Sequence, residues 1–306
     1  MEKQTTDTIL MVEPIAFGFN RQTAENNHFQ KNDATDKREI QKLALSEFQA
    51  MVAMLRSYEI QVIVINDTVE PHTPDSIFPN NWFSMHGSKI AIYPMYAKNR
   101  RMERRSDILS KIKESGFNYQ TINDYSHFET QGLYLEGTGS MILDRVNKIA
   151  YAAISERTDK VLFRTFCSDF GYLPVSYIAN QTVGEERLPI YHTNVQLCLA
   201  DKYVVMCLQA IDNLAEREFF VNTVFQSGKE LIEITEAQMH QFAGNMLQVH
   251  NINGEQFLVM SQTAYRSLTE QQINKLESYN RLLVAAVPTI EKYGGGSVRC
   301  MMAEIF

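Results

Sequence analysis

The sequence predicts an α/β protein built from five similar ββαβ modules, in each of which a β-hairpin is followed by a helix and a third strand. One observation behind this prediction is that 44% of the 306 residues are hydrophobic, which is enough for a large core. The other is a repeat in the chain. Hairpin starts recur at intervals of 53, 56, 53 and 55 residues, at Phe83, Glu136, His192, Asn245 and Cys300.

Four modules follow one another in the interior of the chain. Alternating apolar and polar residues predict the hairpin arms, and apolar residues at helical spacing predict each helix. The hairpin, helix and third strand are expected at 82–93, 100–115 and 118–122; at 140–154, 159–170 and 173–178; at 195–208, 213–227 and 231–234; and at 246–260, 269–279 and 282–287.

The two ends of the chain supply the fifth module. A strand at 8–12, a helix at 40–58 and a strand at 60–65 lack one hairpin arm, which residues 300–306 are expected to provide. Five modules closed into a ring form a five-bladed α/β propeller, with equivalent positions meeting at its axis. A doubly wound sheet with separate hairpins is the alternative. No Pro/Gly/Ser-rich linker divides the chain, so we expect a single domain over residues 1–306.

Charge and composition argue against several classes of protein. The formal net charge is -7, which does not favour a nucleic-acid partner, and the basic run at 98–105 is expected to be the solvated first half of a helix. The alternative is that an arginine of this run recognises an anionic group in a small-molecule site, and which arginine of 100–105 does so stays open. The longest apolar runs are far shorter than the roughly 20 residues that cross a bilayer. The first residues do not resemble a secretion signal, so we expect a cytoplasmic protein with reduced cysteines. The oligomeric state stays open, with a homodimer as one alternative.

Three axial positions carry side chains suited to covalent catalysis. Cys300 follows the run 294–296 of three glycines, which allows close backbone approach to a substrate, and a cysteine thiolate is a strong nucleophile. His192 belongs to the residue type whose pKa lies closest to neutrality, as proton transfer requires. Glu136 lies among apolar residues and glycines and needs a ligand nitrogen or a structural donor. The alternatives are a buried apolar cysteine, a structural histidine and a turn residue.

The remaining motifs do not indicate a cofactor. The sequence lacks the spacing of a zinc site, of a phosphate-binding glycine loop and of a Gly-x-Ser-x-Gly elbow. We therefore predict neither a metal nor a cofactor. The other three cysteines, Cys167, Cys198 and Cys207, lie in apolar patterns and are expected in the core.

Several motifs together resemble the guanidine-modifying superfamily of amidinotransferases and arginine deiminases, over essentially the whole chain. The motifs are Gly294–Met301, Leu135–Gly137, His192-x-Asn194 and Ser155–Thr158, and those closest to the branch of arginine deiminase-related or citrulline-utilisation hydrolases are 17–20, 25–27 and 78–84. The resemblance implies the pentein fold, attack by the cysteine on a guanidino or ureido carbon, proton transfer by the histidine, and binding of substrate nitrogens by Glu136.

The same resemblance implies further contacts to an amino-acid substrate. Arg157 matches an arginine that pairs with the substrate α-carboxylate, a task suited to a planar fork of donors. Asp75 resembles a substrate-contacting aspartate of the dimethylarginine hydrolases, with a turn-forming role as the alternative. Residues 17–29 are polar and loop-like and are a candidate flap over the entrance.

Two asparagines, Asn81 and Asn194, stand where many members of the superfamily carry aspartate. A bound guanidinium loses two carboxylate partners, each worth about 1.5–3 kcal/mol, whereas a neutral ureido oxygen gains an amide donor. We therefore predict hydrolysis of citrulline to ornithine, carbon dioxide and ammonia through a covalent intermediate on Cys300. Succinylarginine dihydrolases also carry asparagine and begin from a guanidinium, so charge alone leaves the substrate open.

Two alternatives to citrulline hydrolysis are kept. The first is an enzyme acting on a guanidinium, either an arginine or methylarginine deiminase or dihydrolase or an amidinotransferase. The second is a binding protein without activity.

Overall fold

The computed structural model describes residues 3–306 and contains several small β-sheets with helices between their strands. Within these residues, the strands form five three-stranded sheets and one two-stranded sheet. The strands in chain order are β1 (Thr8–Glu13), β2 (Gln61–Asn66), β3 (Phe83–His86), β4 (Lys89–Ile92), β5 (Thr121–Asp124), β6 (Ile142–Asp144), β7 (Ile149–Ala153), β8 (Leu173–Tyr177), β9 (Asn180–Val183), β10 (Glu186–Pro189), β11 (Leu197–Leu199), β12 (Tyr203–Met206), β13 (Glu230–Glu233), β14 (Leu247–His250), β15 (Gln256–Ser261), β16 (Arg281–Ala285) and β17 (Ala303–Ile305).

The helices lie mainly in the connections between paired strands. They are α1 (Lys37–Ser57), α2 (Ser106–Glu114), α3 (Gly137–Ser140), α4 (Lys160–Phe170), α5 (Leu214–Gln226), α6 (Glu236–Met239), α7 (Gln262–Ser267), α8 (Glu270–Glu277) and α9 (Pro288–Gly294). Short 3₁₀ helices occur at Pro79–Asn81, Lys98–Glu103, Ser126–Gln131, Thr193–Val195 and Leu208–Ala210.

All five three-stranded sheets share one connectivity. Their strand orders are β17-β1-β2, β3-β4-β5, β6-β7-β8, β11-β12-β13 and β14-β15-β16. In each sheet the middle strand pairs antiparallel with the first strand and parallel with the third. The parallel pair needs a crossover, and a helix fills it in every case. The five ββαβ modules expected from the sequence are therefore present, and β17 supplies the missing arm beside β1. Their arrangement around one axis stays a prediction.

Four local features differ from the sequence-based expectation. β9 and β10 form an additional antiparallel hairpin outside the five modules. α3 forms one helical turn directly after Glu136. α9 lies after β16 and ends within the glycine run, in a stretch where the sequence analysis expects no helix. The prediction that residues 98–105 form a solvated helix is wrong. They begin as a 3₁₀ helix in which Arg100 is buried, with its guanidinium hydrogen-bonded to Glu103 and Asn81.

The core forms where the apolar faces of the helices pack on the sheets. In α1 the buried positions recur at helical spacing, at Ile40, Ala44, Phe48, Met51, Val52 and Leu55. Burial of one large apolar side chain contributes about 1.5–3 kcal/mol. Asp159 and Asn213 cap α4 and α5 by accepting backbone N–H groups. The three cysteines expected in the core are buried and unpaired, and burial raises their pKa values to about 12, 12 and 11.

Three modules present equivalent short turns to one another immediately before their hairpins. The 3₁₀ helix Pro79–Asn81 precedes β3, α3 precedes β6, and the 3₁₀ helix Thr193–Val195 precedes β11. The turn α3 contacts both 3₁₀ helices. Polar residues that are distant in sequence thus come together at these turns. No helix within residues 3–306 combines the length and the apolar character needed to cross a membrane.

Candidate active site

Cys300 lies in the loop between α9 and β17 and is 4% exposed. Its sulfur accepts hydrogen bonds from two side-chain amides, Nδ2 of Asn194 at 3.3 Å and Nδ2 of Asn245 at 3.2 Å. An amide N–H stabilises negative charge on sulfur, which is the form that attacks carbon. The position of Cys300 is also held by its own backbone N–H, which donates to the carbonyl of Ser297.

The three glycines before Cys300 are required by close packing. A Cβ added to Gly294 would lie 2.7 Å from Cζ of Phe78, and one added to Gly296 would lie 2.9 Å from the same atom. Gly295 has a φ of +63°, and a Cβ there would meet the side chains of Gln30 and Asn27. The run therefore lets an aromatic ring and an overlying loop approach the backbone beside Cys300.

His192 and Glu136 form a buried pair. Nε2 of His192 lies 2.7 Å from Oε2 of Glu136, and the backbone N–H of Tyr96 donates to Oε1 at 2.9 Å. Burial opposes ionisation of Glu136, but Arg157 and His192 outweigh it and lower its pKa to about 2. Burial lowers the pKa of His192 to about 4, although Glu136 opposes this shift. At neutral pH an ionised Glu136 therefore accepts Nε2–H from a neutral imidazole, which leaves Nδ1 as a proton acceptor.

The glycines of α3 let the three turns approach closely. A Cβ added to Gly139 would collide with Nδ2 of Asn81 and would lie 2.8 Å from Nδ1 of His192. Gly137, at a φ of +49°, has no room for a side chain beneath the backbone of Asn80 and Asn81. Glycine disfavours helices, and these two glycines are present because larger side chains would push apart the turns that carry Asn81 and His192.

Arg100 fixes the orientation of Asn81. Nη1 of Arg100 donates to Oδ1 of Asn81 at 2.8 Å, while Nε and Nη2 donate to Glu103 at 2.8 and 2.9 Å. A guanidinium only donates hydrogen bonds, so the amide oxygen must face Arg100. Nδ2 of Asn81 is then a buried donor without a partner among residues 3–306. Burial raises the pKa of Glu103 to about 8, with Arg100 opposing the shift.

Asp75 carries a hydrogen-bond acceptor without a partner among residues 3–306, whereas Asn81 carries such a donor. Oδ2 of Asp75 accepts from Nδ2 of Asn20 at 2.8 Å and from Oγ1 of Thr23 at 3.0 Å. Its Oδ1 is buried and has no partner within residues 3–306. Burial raises the pKa of Asp75, and the nearby Arg100 opposes this shift. Asp75 thus offers an acceptor where Asn81 offers a donor.

Residues 17–30, which we call the covering segment, lie over the site. Nε of Arg157 donates to Oδ1 of Asn26 and Nη2 donates to the carbonyl of Thr23, both at 2.8 Å. Nδ2 of Asn27 and Nε2 of Gln30 donate to the carbonyl of Gly294 at 3.4 and 3.0 Å. The segment is therefore bonded to both sides of the site.

The space left beneath the covering segment is small. The cavity has a volume of about 20 Å³, which is room for about one water molecule. It is lined by Thr23, Asn27, Asp75, Phe78, Asn81, Arg100, Arg157, Tyr191, His192, Gly294, Gly295, Gly296 and Cys300. An amino acid does not fit a cavity of this size, and movement of the covering segment as a flap stays a prediction.

All seven site residues named from the sequence come together here. Five of them line the cavity, and the other two stand directly behind it, Glu136 bonded to His192 and Asn194 bonded to Cys300. Sequence reasoning missed Asn245, although it lies at the same phase of the repeat as Cys300 and His192. It also left open which arginine of the basic run reaches the site, which is Arg100. Among residues 3–306, no cluster of three or more metal-binding side chains occurs.

The chain as a whole is similar to several known proteins. The model of the family described as N,N dimethylarginine dimethylhydrolase, eukaryotic, matches residues 13–306. A search of curated proteins found no match. Among solved structures, the apo form of ArgZ, an arginine dihydrolase from the ornithine-ammonia cycle in cyanobacteria, is similar with a TM-score of 0.72 and 18% identity, covering 97% of this chain and 40% of that chain.

Two further solved structures cover their own chains almost completely. The N-terminal domain of ArgZ, bound to substrate, has a TM-score of 0.70 and 18% identity, covering 97% of each chain. A dimethylarginine dimethylaminohydrolase in an adduct with S-methyl-L-thiocitrulline has a TM-score of 0.65 and 16% identity, covering 98% of this chain and 100% of that chain.

These similarities differ in what they establish. At identities below 20% the solved structures show a shared α/β pentein fold, and this chain spans only 40% of the full-length cyanobacterial protein. The family match covers nearly the whole chain and includes every residue of the site. It confirms the superfamily that the sequence motifs predict. This chain therefore belongs to the N,N dimethylarginine dimethylhydrolase family, whose members are hydrolases of C–N bonds in amidines.

Proposed function

We propose that this chain hydrolyses C–N bonds of a free guanidino amino acid through a covalent intermediate on Cys300, and that arginine is converted to ornithine in two rounds. One observation carries the proposal: two residues that line the cavity each have a buried polar atom without a partner among residues 3–306, the acceptor Oδ1 of Asp75 and the donor Nδ2 of Asn81. A guanidinium only donates hydrogen bonds, whereas a ureido oxygen accepts them. The acceptor on Asp75 therefore suits the guanidinium of arginine, and the donor on Asn81 suits the ureido oxygen that the first round creates.

The first round removes one nitrogen from the guanidinium. His192 accepts the thiol proton of Cys300 on Nδ1, and the sulfur adds to the planar carbon. The protonated imidazole is stabilised by Glu136 and returns the proton to the departing nitrogen, which leaves as ammonia. A water molecule deprotonated by His192 then displaces the sulfur, which gives the ureido amino acid. Asp75 accepts N–H groups of the substrate throughout this round.

The second round repeats the attack on the ureido carbon. Asn81 donates Nδ2–H to the ureido oxygen, where negative charge develops. Loss of the second ammonia and hydrolysis of the sulfur adduct leave a carbamate, which releases carbon dioxide. Arginine and two water molecules thus give ornithine, carbon dioxide and two ammonia molecules. In both rounds Arg157 pairs with the substrate α-carboxylate beneath the covering segment.

The citrulline hydrolysis expected from the sequence is the second half of this reaction. Two of the similar solved structures are named as an arginine dihydrolase and a dimethylarginine dimethylaminohydrolase. These names support a guanidino substrate at least as well as they support citrulline. Substrate binding by the cyanobacterial domain and formation of an adduct by the other relative support an amino-acid substrate and covalent chemistry.

Dimethylarginine is the second candidate substrate, and the family match favours it. Hydrolysis would release dimethylamine and citrulline after a single round. The two methyl groups need space beside the attacked nitrogen, and opening of the covering segment would have to provide it.

The arrangement of the modules as five blades around the cavity belongs to the same proposal. Contacts that join different modules support it: Glu136 with His192, and Cys300 with Asn194 and Asn245. Four of them, Glu136, His192, Asn245 and Cys300, stand at equivalent positions about 55 residues apart, as five blades around an axis require. A cytoplasmic location stays a prediction, and the oligomeric state stays open, with a homodimer as one alternative.

The deciding experiment is a product analysis with purified protein. Arginine, citrulline, dimethylarginine and agmatine are supplied separately, and ammonia, dimethylamine, citrulline and ornithine are measured. The proposal expects two ammonia molecules for each ornithine formed from arginine. Dimethylamine from dimethylarginine, without turnover of arginine, would favour the second candidate instead.

Cysteine variants test the covalent step. Cys300→Ala should abolish turnover of every substrate. Cys198→Ala removes another buried thiol that lies outside the cavity and is the matched control. Full activity of Cys300→Ala would refute the mechanism.

A further inference from the structure

We infer that Asn245 is a catalytic residue whose side-chain amide stabilises the Cys300 sulfur as an anion. The inference rests on the proposed function, because the proposed function makes Cys300 the nucleophile. The carrying observation is that Nδ2 of Asn245 lies 3.2 Å from the sulfur, the shorter of the two amide contacts made with it. Asn245 is 1% exposed, so this contact is shielded from water.

The backbone around Asn245 is built for close approach to the sulfur. Asn245 lies two residues before β14, and it recurs with His192 and Cys300 at intervals of 53 and 55 residues. Phe242 adopts a φ of +62°, which a bulky residue rarely adopts and which redirects the chain before Asn245. A Cβ on Gly244 would collide with the carbonyl of Val195. The loop therefore packs directly on the Thr193–Val195 helix, which carries Asn194.

The neighbours of Asn245 allow only one orientation of its amide. Oδ1 accepts the backbone N–H of Arg299 at 3.1 Å, and Nδ2 donates to the backbone carbonyl of Asn194 at 3.0 Å. A backbone N–H only donates and a backbone carbonyl only accepts, so the oxygen and nitrogen cannot exchange places. The second hydrogen of Nδ2 must then point at the sulfur. A neutral thiol is a weak acceptor and a thiolate is a strong one, so the contact favours the anion.

Asn194 makes the same kind of contact but is held less firmly. Its Nδ2 donates to the sulfur at 3.3 Å, while its Oδ1 is buried without a partner among residues 3–306. Asn245 is the anchored donor of this pair. The pair acts at two stages, when the sulfur attacks the substrate carbon and when water displaces the sulfur as an anion.

Other charged and titratable groups also face the sulfur and set its background potential. Arg100, Arg157, Asp75 and Tyr191 line the same cavity, and His192 lies there with Glu136 behind it. The guanidinium of the adjacent Arg299 is turned away, toward Glu304 and the carbonyl of Met302. Substitution of Asn245 changes none of these groups, so the effect of its amide can be measured separately.

The test measures thiolate formation without substrate. Full-length protein is titrated between pH 5 and 10 by its absorbance at 240 nm, as the difference from Cys300→Ala, and the rate of alkylation by 2-chloroacetamidine is followed over the same range. In Asn245→Ala both profiles should move about one pH unit toward alkaline values. Asn245→Asp keeps the size and places an anion beside the sulfur, so its shift should be larger. The control is Gln248→Ala, which removes a buried amide of β14 that does not touch the sulfur.

Turnover provides the second readout. Asn245→Ala should lower kcat about ten- to hundredfold with KM changed much less, because the amide touches the sulfur and not the substrate. A merely structural role would lower thermal stability and leave the titration unchanged. Unshifted profiles in a folded Asn245→Asp protein would overturn the inference, even where Asn245→Ala fails to fold.

The two proposals fail separately. A shifted titration in a protein that hydrolyses none of the substrates would leave the Asn245 contact standing and refute the proposed function. Normal turnover of arginine by variants with unshifted profiles would refute only the role of Asn245.

Discussion

The two sides of the cavity differ in how completely their polar groups are bonded. On the side of the Pro79–Asn81 helix, Asp75 and Asn81 each present a buried polar atom without a partner among residues 3–306. On the side of the Thr193–Val195 helix, His192 is bonded to Glu136, and Asn245 is bonded to Arg299, Asn194 and Cys300. Oδ1 of Asn194 on this side also has no partner among residues 3–306, but Asn194 does not line the cavity. We call these the open side and the bonded side.

This difference separates recognition from catalysis. A buried polar atom without a partner costs free energy in the empty protein, and a substrate regains it by supplying the partner. Groups already bonded to each other are instead held in the geometry that the reaction needs. Substitutions on the open side should therefore change which substrate form is used. Substitutions on the bonded side should lower the rate for every substrate.

The largest effect is expected on the bonded side, from His192→Gln. Glutamine can still donate to Glu136, but it cannot accept and return a proton. kcat should fall about 10²- to 10⁴-fold for arginine and citrulline alike, measured by ammonia release. His250→Gln is the control, since His250 bonds to Thr5 outside the cavity. A kcat within threefold of wild type would remove His192 from the proton transfer.

The next largest effect is expected on the open side, from Asn81→Asp. Arg100 can still bond to one carboxylate oxygen, and the other replaces the free Nδ2 donor. A guanidinium gains an acceptor, while a ureido oxygen loses its donor and meets a like charge. Ornithine formation should fall about ten- to hundredfold, with citrulline accumulating from arginine. The ratio of the two products is measured in one reaction, and an unchanged ratio would contradict the assigned role of Asn81.

A smaller effect is expected from Arg157→Lys, which affects the covering segment above both sides. Lysine retains the charge but lacks the fork that holds Asn26 and Thr23. KM for arginine should rise about tenfold with a smaller change in kcat, as for loss of one bond to a charged group. Arg187→Lys, on the exposed β10, makes the same exchange away from the site. An equal change in the two variants would argue against binding of the α-carboxylate by Arg157.

Most of the bonded side is predictable from the sequence, because its residues recur with the repeat. Cys300, His192 and Glu136 begin three hairpins, and the spacing of ββαβ modules is set by local periodicity. Asn245 recurs with the same repeat. An asparagine side chain neither titrates nor acts as a nucleophile, so its residue type alone does not predict a role in the site. The role of Asn245 depends on which atoms its amide contacts. Arg299 and Asn194 orient the amide, and the sequence does not show that these residues are close to it.

The open side is less predictable, because tertiary contacts decide it. The basic run 98–105 has the composition of a solvated surface, yet Arg100 is 2% exposed since Glu103 and Asn81 surround it. Closure of the covering segment depends on contacts between residues far apart in sequence, such as Asn27 with Gly294. Neither periodicity nor composition carries this information.

The smallest effect concerns stability, and it again distinguishes the two sides. Burial raises the pKa values of Asp75 and Glu103 on the open side, whereas those of Glu136 and His192 on the bonded side are lowered. The folded pKa of His192 is about 4 against an ordinary value of 6.5. As pH falls through 6.5, His192 binds a proton in the unfolded chain, whereas in the folded protein it stays neutral until about pH 4. The stability contributed by His192 is therefore complete above this window and is lost on acidification.

Urea unfolding at pH 7.5 and pH 5 measures this loss. From the two pKa values, His192 alone should cost about 2 kcal/mol of unfolding free energy between these conditions. His86 and His250 also have pKa values lowered by burial, and the raised carboxyl groups act in the opposite sense, so the wild-type total mixes several groups. The difference between wild type and His192→Gln isolates one of them, because the variant should lose about 2 kcal/mol less over the same interval. An identical loss in both proteins would mean that folding does not shift the pKa of His192. A smaller loss in wild type than in the variant would mean that His192 is already protonated beside Glu136 at neutral pH, and the first proton of the reaction would then have to be accepted by another group.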